Sequence, residues 1–203
     1  MKKFKNKKKL KEKKKKMLRA TFSDGRVYFG QTRKTDKSKK IIPEGSGNVQ
    51  WPDGQYYKGE FKNGVFDGWG VYTAPGSHVF IGLWKKGFMT KGQKKSENGE
   101  HYTGAFKKSL FDGYGVMNYS NNSKFECQWK NNFAHGKGKL TILKDHEGVF
   151  EHEKGEIWNG RWKNGIMDGI FIIKYPDGEI LDATWVKGER TKAKFRHNKK
   201  LGH

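Results

Sequence analysis

The sequence DGQYYKGEFKNGVFDGWGVYTAP, residues 53–75, is the best copy of a unit of about 23 residues that recurs imperfectly along the chain. We align the copies on Gly59, which lies two residues before Phe61. The equivalent positions are Gly30, Gly59, Gly82, Gly104, Cys127, Gly160 and Ala183. Their spacings are 29, 23, 22, 23, 33 and 23 residues, so the two long ones fit the same period with insertions. The chain therefore contains seven repeats.

Each unit is predicted to form one β-hairpin. Tyr57, Gly59 and Phe61 alternate with polar residues, which is the two-residue period of a strand with one buried face. Asn63-Gly64 then separates this run from a second one that is rich in aromatic and β-branched residues. Asn-Gly between two such runs is a strong hairpin signal, because both residues tolerate positive φ. Pro-Asp-Gly at residues 52–54 and again at 176–178 turns the chain into the next unit.

Aromatic residues recur at two positions of the unit and are predicted to pack on one face of the sheet. An interior glycine between them leaves a slot in which a ring from the neighbouring strand lies against the backbone. We interpret this face as core rather than as a ligand site. The residues assigned to packing between repeats are Tyr57, Gly59, Phe61, Gly82, Trp84, Tyr102, Gly104, Phe106, Phe125, Trp129, Trp158, Gly160, Trp162 and Trp185.

The pattern resembles the MORN repeat, the membrane occupation and recognition nexus. It is carried by Tyr57-x-Gly59-x-Phe61-x-Asn63-Gly64 with Asp67-Gly68-x-Gly70, and again by residues 102–115 and 125–138. The resemblance covers roughly residues 24–194. It implies an all-β fold, an elongated, twisted, single-layer antiparallel sheet of consecutive hairpins. It also implies a part in cytoskeletal, ciliary or membrane-cortex assemblies, in some cases as a homodimer.

Composition agrees with an elongated sheet. The chain has 203 residues, is only 33% hydrophobic with a mean hydropathy of −1.00, yet is 14% aromatic. A thin sheet that buries rings on one face reconciles these values. The domain organisation we predict is a lysine-rich extension (1–20), the repeat array (21–194) and a basic tail (195–203). A short helix at the C-terminus could cover the open edge of the sheet.

The net charge of +22 is concentrated at the N-terminus. Three interpretations of that segment stay open: a solvated tail, an arm that docks on an acidic surface of protein, tubulin or nucleic acid, and an anchor on anionic membrane. A basic hairpin tip in unit one, residues 32–40, is either a mobile loop or a second contact to the same polyanion. The candidate contacts are Lys2, Lys3, Lys5, Lys7, Lys8, Lys9, Lys11, Lys13, Lys14, Lys15, Lys16, Arg19, Lys34, Lys37, Lys39 and Lys40.

Catalytic, metal and cofactor sites are not predicted. The insertion at residues 144–153 contains His146 and His152, but their spacing matches no common zinc motif. Asp67 and its equivalents precede glycine, as expected for turn chemistry. The single cysteine, Cys127, excludes an internal disulfide and occupies a repeat position that predicts a buried small residue. No apolar run approaches the length of a membrane span.

The sequence thus favours a non-enzymatic scaffold or adaptor that docks on protein partners in a larger assembly through its β-surface. The alternative is a peripheral membrane protein that binds anionic phospholipids or phosphoinositides. Nucleic-acid binding is disfavoured because the rings that would stack on bases are assigned to the packed face. The predicted location is cytoplasmic, in association with cytoskeleton or cilium.

Overall fold

The computed structural model describes residues 17–35, 38–76, 78–143 and 153–196, and all of its regular structure is β-strand. The strands are β1 (Met17–Thr21), β2 (Val27–Thr35), β3 (Ser38–Gln50), β4 (Tyr56–Lys62), β5 (Val65–Ala74), β6 (His78–Lys85), β7 (Phe88–Lys95), β8 (His101–Lys107), β9 (Leu110–Asn118), β10 (Lys124–Lys130), β11 (Phe133–Thr141), β12 (Ile157–Lys163), β13 (Ile166–Met167), β14 (Gly169–Lys174), β15 (Ile180–Val186) and β16 (Glu189–Arg196).

These strands form one open antiparallel sheet in which each strand pairs with the next along the chain. The short β13 pairs with β12 beside the main path and completes the sixth hairpin. The seven predicted units correspond to the hairpins β2–β3, β4–β5, β6–β7, β8–β9, β10–β11, β12–β14 and β15–β16. The prediction of a single-layer array of consecutive hairpins is confirmed. Because the chain meanders, the turns within units lie along one long edge of the sheet and the turns between units along the other.

Two-residue turns with positive φ close most hairpins. Asn63 and Gly64 have φ of 53° and 83°, the signature of a type I′ turn, so the predicted Asn-Gly turn is confirmed. Lys86-Gly87 makes the same turn without asparagine. Equivalent pairs are Lys108-Ser109, Asn131-Asn132, Asn164-Gly165 and Lys187-Gly188. The turn geometry is therefore kept although the residue types vary.

The pairs Asp67-Gly68, Asp112-Gly113 and Asp168-Gly169 do not form the hairpin turns, contrary to the sequence interpretation. Asp67 and Gly68 lie inside β5, where the register with β4 shifts between Gly59 and Phe61. Gly68 has a φ of 116°, so this is a β-bulge whose glycine adopts a conformation that side chains disfavour. The Asp67 carboxylate accepts hydrogen bonds from the Lys86 backbone and the Lys85 ammonium, which belong to the next turn. Asp67 thus ties the second hairpin to the third.

The predicted aromatic positions lie on one face, which we call the inner face. Tyr57 is completely buried there and stacks on Phe66 at 3.6 Å between ring centroids. Its ring lies over two glycines, Gly59 on its own strand and Gly70 on the neighbouring strand. The slot above Gly59 is therefore filled by a ring of the same strand, whereas a ring from the neighbouring strand was expected. Most residues assigned to packing are buried on this face: Phe61, Trp84, Tyr102, Phe106, Phe125, Trp129, Trp158 and Trp162.

Two aromatic positions depart from this pattern. Trp185 is only partly buried, as is Phe80 of unit three. In unit three the fully buried Met89 lies over Gly82 and Gly92 instead. Its flexible thioether fills the space that a tyrosine ring occupies in the neighbouring units.

Successive units are linked by side-chain hydrogen bonds to backbone. The indole N–H of Trp84 donates to the carbonyl of Gly70, and that of Trp129 donates to the carbonyl of Gly115, each at 3.2 Å. The turns also stack, since the backbone N–H of Gly87 donates to the carbonyl of Phe66 in the preceding hairpin. Each repeat is therefore stabilised by its neighbours, as in other repeat arrays.

Both ends of the array differ from the sequence expectation. Met17–Thr21, most of which we assigned to the extension, is a strand that pairs with β2. At the other end, residues 192–196 continue β16 and do not form the expected helix. The tip of unit one also continues as strand to Thr35 and from Ser38, where a loop was expected. The three-part division of the chain stays a prediction, and its boundaries run through strands.

Candidate docking surface

The outer face of the sheet carries a row of exposed side chains that sequence reasoning did not single out. They occupy the residue after the bulge glycine, as in Gly68-Trp69-Gly70, or its equivalent. In chain order they are Trp69, Lys91, Tyr114, Lys137, Ile170 and Lys192, which we call the outer stripe. All six are exposed, and Trp69, Tyr114 and Ile170 remain 54%, 55% and 71% accessible. Large apolar side chains therefore alternate with lysines from unit two to unit seven, one per unit, whereas Ser46 holds the equivalent position in unit one.

Local geometry explains why these side chains project outward. In most units the residue after the stripe residue is a glycine on the inner face, covered by a buried side chain. Because successive residues of a strand point to opposite faces, the stripe residue faces outward. Unit three has a register shift at the same place although it lacks the Asp-Gly pair. There Thr90 donates a hydrogen bond to the carbonyl of Leu83, and Thr191 makes the equivalent bond to Thr184 in unit seven. The stripe thus rests on backbone that is fixed in each of these units.

The stripe is widened by apolar neighbours near its beginning. Trp69 lies directly opposite Leu83, which is also exposed, and Val71 lies opposite Ile81. Strands are about 4.8 Å apart, so adjacent members of the stripe are about 10 Å apart and successive apolar members about 19 Å. A surface of this shape can contact an extended or helical partner along its length. It does not enclose a small substrate.

Few of the predicted polyanion contacts fall within the described residues. Arg19 is exposed on β1 and Lys40 is exposed on β3. Lys34 and Lys39 lie in β2 and β3. Lys37 and Lys2 to Lys16 lie outside the described residues, so their grouping into one site stays a prediction.

The ionisable groups Cys127 and Tyr28 are buried on the inner face, where they contribute to packing. Burial raises the pKa of the Cys127 thiol to about 12, and the side chain is almost completely inaccessible, which agrees with the predicted buried small residue. Burial also raises the pKa of Tyr28 to about 12. Among the described residues, no group of three His, Cys, Asp or Glu side chains could hold a metal ion. His146 and His152 lie outside those residues.

These features define a class: an open repeat protein that presents a long, exposed surface. The profile of the MORN repeat family matches residues 57–78, 102–124, 126–142 and 158–179, and each match covers most of one hairpin unit. The chain is a MORN repeat protein. Within the described part, no helix has the length and apolar character needed to cross a bilayer.

Comparison with known proteins adds partial likenesses. A stretch of 52 residues is 42% identical to alsin of Rattus norvegicus, Mus musculus and Homo sapiens; the match covers 23% of this chain and only 3% of alsin. Among solved structures, the SAS-4 (dCPAP) TCP domain of Drosophila melanogaster, in complex with a proline-rich motif of Ana2 (dSTIL), is similar with a TM-score of 0.41 and 11% identity over 90% of each chain. The TCP10 domain of Danio rerio CPAP is similar with a TM-score of 0.29 and 11% identity over 88% of each chain.

Proposed function

We propose that this protein is a non-enzymatic scaffold or adaptor that docks on protein partners through the outer stripe. The observation that carries the proposal is the alternation of exposed apolar and lysine side chains along one face. Trp69 and Leu83, with Val71 and Ile81 beside them, form a contiguous apolar patch at one end of the stripe, and such patches mark interaction sites more often than scattered apolar side chains do. The lysines between them favour a partner surface in which acidic residues lie beside apolar ones.

Rigidity of the face supports the same proposal. Side chains of the stripe stand on hydrogen-bonded strands whose opposite face is packed with rings, so little order is lost when a partner binds. The lysine-rich segment before β1 then contributes a second, electrostatic contact to an acidic surface of the assembly. A cytoskeletal, ciliary or membrane-cortex assembly is the setting that the repeat family implies, and the location in the cytoplasm is part of this proposal.

The alternative is a peripheral membrane protein, and the composition of the stripe favours it too. Trp69 and Tyr114 are the residue types that settle at a membrane interface, and the lysines beside them attract anionic lipid. In this alternative the stripe and the lysine-rich segment face the same bilayer.

The experiment replaces the three apolar members of the stripe together, as Trp69→Ser, Tyr114→Ser and Ile170→Ser. A matched control replaces three exposed apolar residues at the turns, Val65→Ser, Phe133→Ser and Ile166→Ser. Partners are identified by in-cell cross-linking and mass spectrometry, and circular dichroism checks the fold. Loss of the same partners in the stripe variant, with retention in the control, is expected. Retention in both variants would show that the stripe is not the docking surface.

Flotation with neutral, phosphatidylserine and phosphoinositide liposomes tests the alternative at physiological salt. The comparison uses the full chain and a chain that lacks residues 1–16, since a longer deletion removes part of β1. Binding that survives this deletion but not the stripe substitutions supports the membrane function. Binding that appears only at low salt and disappears with the deletion reflects generic charge attraction.

A further inference from the structure

Lys137, the outer-stripe residue of unit five, is part of a cluster of cations. Lys137 on β11 is directly opposite Arg161 on β12, and Lys139 is two residues further along β11. Like charges directly opposite each other in a sheet destabilise it, so this arrangement has a cost in the isolated protein. All three side chains are exposed and point to the outer face.

The cluster has no counter-ion of its own among the described residues. Glu126 lies opposite Lys139, but its carboxylate pairs with the Lys124 ammonium at 3.0 Å. No ion pair or hydrogen bond joins the ammonium of Lys137 or Lys139, or the guanidinium of Arg161, to a carboxylate within the described ranges. Three exposed positive charges therefore lie beside one carboxylate that is already paired with another lysine.

The surroundings form a shallow concavity of about 820 Å³ on the outer face. Its walls include Lys137, Lys139, Asn159 and Arg161, and its rims are Tyr114 and Ile170. Glu126 also lines it, and its carboxylate is paired with the Lys124 ammonium. The aliphatic stem of Arg161 is seated on Gly169, where an added Cβ would be 3.5 Å from the arginine Cβ. The stem therefore lies over β14, and Arg161 lines the concavity together with Lys137.

We propose that this concavity binds a phosphorylated serine or threonine of a polypeptide partner, with apolar residues of that partner on Tyr114 and Ile170. The proposal rests on the docking function of the outer stripe and names the partner's chemistry. A phosphate monoester carries −1.5 to −2 charges near neutral pH and offers three acceptor oxygens, which suits one guanidinium and two ammonium groups. A single carboxylate would leave most of the positive charge uncompensated.

The spacing of the rims gives the pattern of the partner. Tyr114 on β9 and Ile170 on β14 are separated by four strand intervals, about 19 Å. A polyproline II peptide advances about 3.1 Å per residue with three residues per turn, so apolar side chains three positions before and three after the phosphorylated residue lie on its face and span this distance. The phosphate then falls near the midpoint, over Lys137.

Unit three supplies an internal control. Lys91 is the outer-stripe residue of unit three, as Lys137 is of unit five. On the next strand Lys91 faces Ala105, whereas Lys137 faces Arg161. Leu83 lies opposite Lys91 on its other side. The site of unit three thus has one cation and no paired guanidinium, and it is not expected to recognise phosphate.

The test uses the full chain and a fluorescein-labelled peptide with one phosphoserine, leucine three positions to each side, and glycine and serine elsewhere. Fluorescence anisotropy at physiological ionic strength compares it with the unphosphorylated peptide and with a glutamate version. We expect a preference of about tenfold or more for the phosphorylated peptide. Lys137→Gln with Arg161→Gln should abolish the preference, and the equally charged control Lys58→Gln with Lys107→Gln, at exposed lysines outside the outer stripe, should keep it.

Several outcomes would overturn the proposal. They are a preference that persists in the Lys137 and Arg161 variant, equal binding of the phosphorylated and glutamate peptides, and no binding at all. Full competition by inorganic phosphate or inositol hexakisphosphate at the peptide's own concentration would mean that the flanking residues contribute nothing. Any of these results leaves the docking function intact if the stripe variant still loses its partners in cells, so the two proposals fail separately.

Discussion

Substitution of Gly70 by alanine tests the packing of the inner face. A Cβ added at Gly70 would lie 2.5 Å from Cζ and 2.6 Å from Cε2 of Tyr57, far inside van der Waals contact. The tyrosine ring cannot retreat, because Phe66 stacks on it at 3.6 Å and Phe61 and Trp84 meet it edge-on. The hairpin must therefore open or the ring must leave its site.

Two estimates of the destabilisation agree. Overpacking a tight core costs about 1 to 3 kcal/mol. Expelling half of a ring that buries about 200 Å² loses about 2.5 kcal/mol at roughly 25 cal/mol per Å². We expect Gly70→Ala to lower the free energy of unfolding by about 3 kcal/mol and the melting temperature by about 6 to 12 °C for a chain of this size.

A double-mutant cycle gives the decisive result. In the Tyr57→Ala background the Gly70→Ala substitution should cost little, because the three nearest atoms to its Cβ all belong to Tyr57. Gly59→Ala should stay costly in that background, since its Cβ would also meet the Gly70 Cα at 2.5 Å and the Trp69 carbonyl oxygen at 2.6 Å. Denaturant unfolding, with hydrogen exchange of β4 and β5, measures each change. Equal costs of Gly70→Ala in both backgrounds would refute the argument.

Three further predictions concern single groups. The Cys127 thiol, with a pKa of about 12 and almost no exposure, should resist iodoacetamide at pH 8 in the folded protein and react once the protein is unfolded, as followed by mass spectrometry. Asn63→Ala should cost about 1 kcal/mol in thermal melts because φ is positive there, whereas Asn63→Gly should be nearly neutral; equal losses would contradict the turn assignment. Hydrogen bonds from Arg196 lower the pKa of Asp182 below its usual value, so their contribution to stability is present above pH 3.8 and is lost as the pH falls through the lower, folded-state pKa. Protection of β16 amides should decrease in acid, and Asp182→Asn should remove that dependence.

Much of the fold could be predicted because it depends on local chemistry. Asn63-Gly64 needs positive φ wherever it lies, and the alternation of Tyr57, Gly59 and Phe61 selects one face of a strand whatever the neighbours are. The ends of the array were harder to predict. Lysine-rich composition suggested a tail up to residue 20, yet Met17–Thr21 completes a strand because β2 offers it an unpaired edge.

The docking surface was less accessible to sequence reasoning. The bulge at Gly68 was interpreted as a turn because Asp-Gly is common in both settings. One signal was present: the position of Trp69 in the repeat is apolar in units two, four and six and lysine in units three, five and seven. The alternation is spread over about 120 residues and has one residue per unit, so it is a weaker signal than the block of like charge at the N-terminus.

The sequence by itself determined the number of repeats, the hairpin in each and the face that the rings share, because these follow from residue spacing and backbone preference within about 23 residues. The tertiary structure decided which residues of different units meet. Lys137 and Arg161 are separated by an insertion, and only the register between β11 and β12 places them opposite each other. Cross-strand register depends on pairing over the whole sheet, and a change of one residue would move either side chain to the other face.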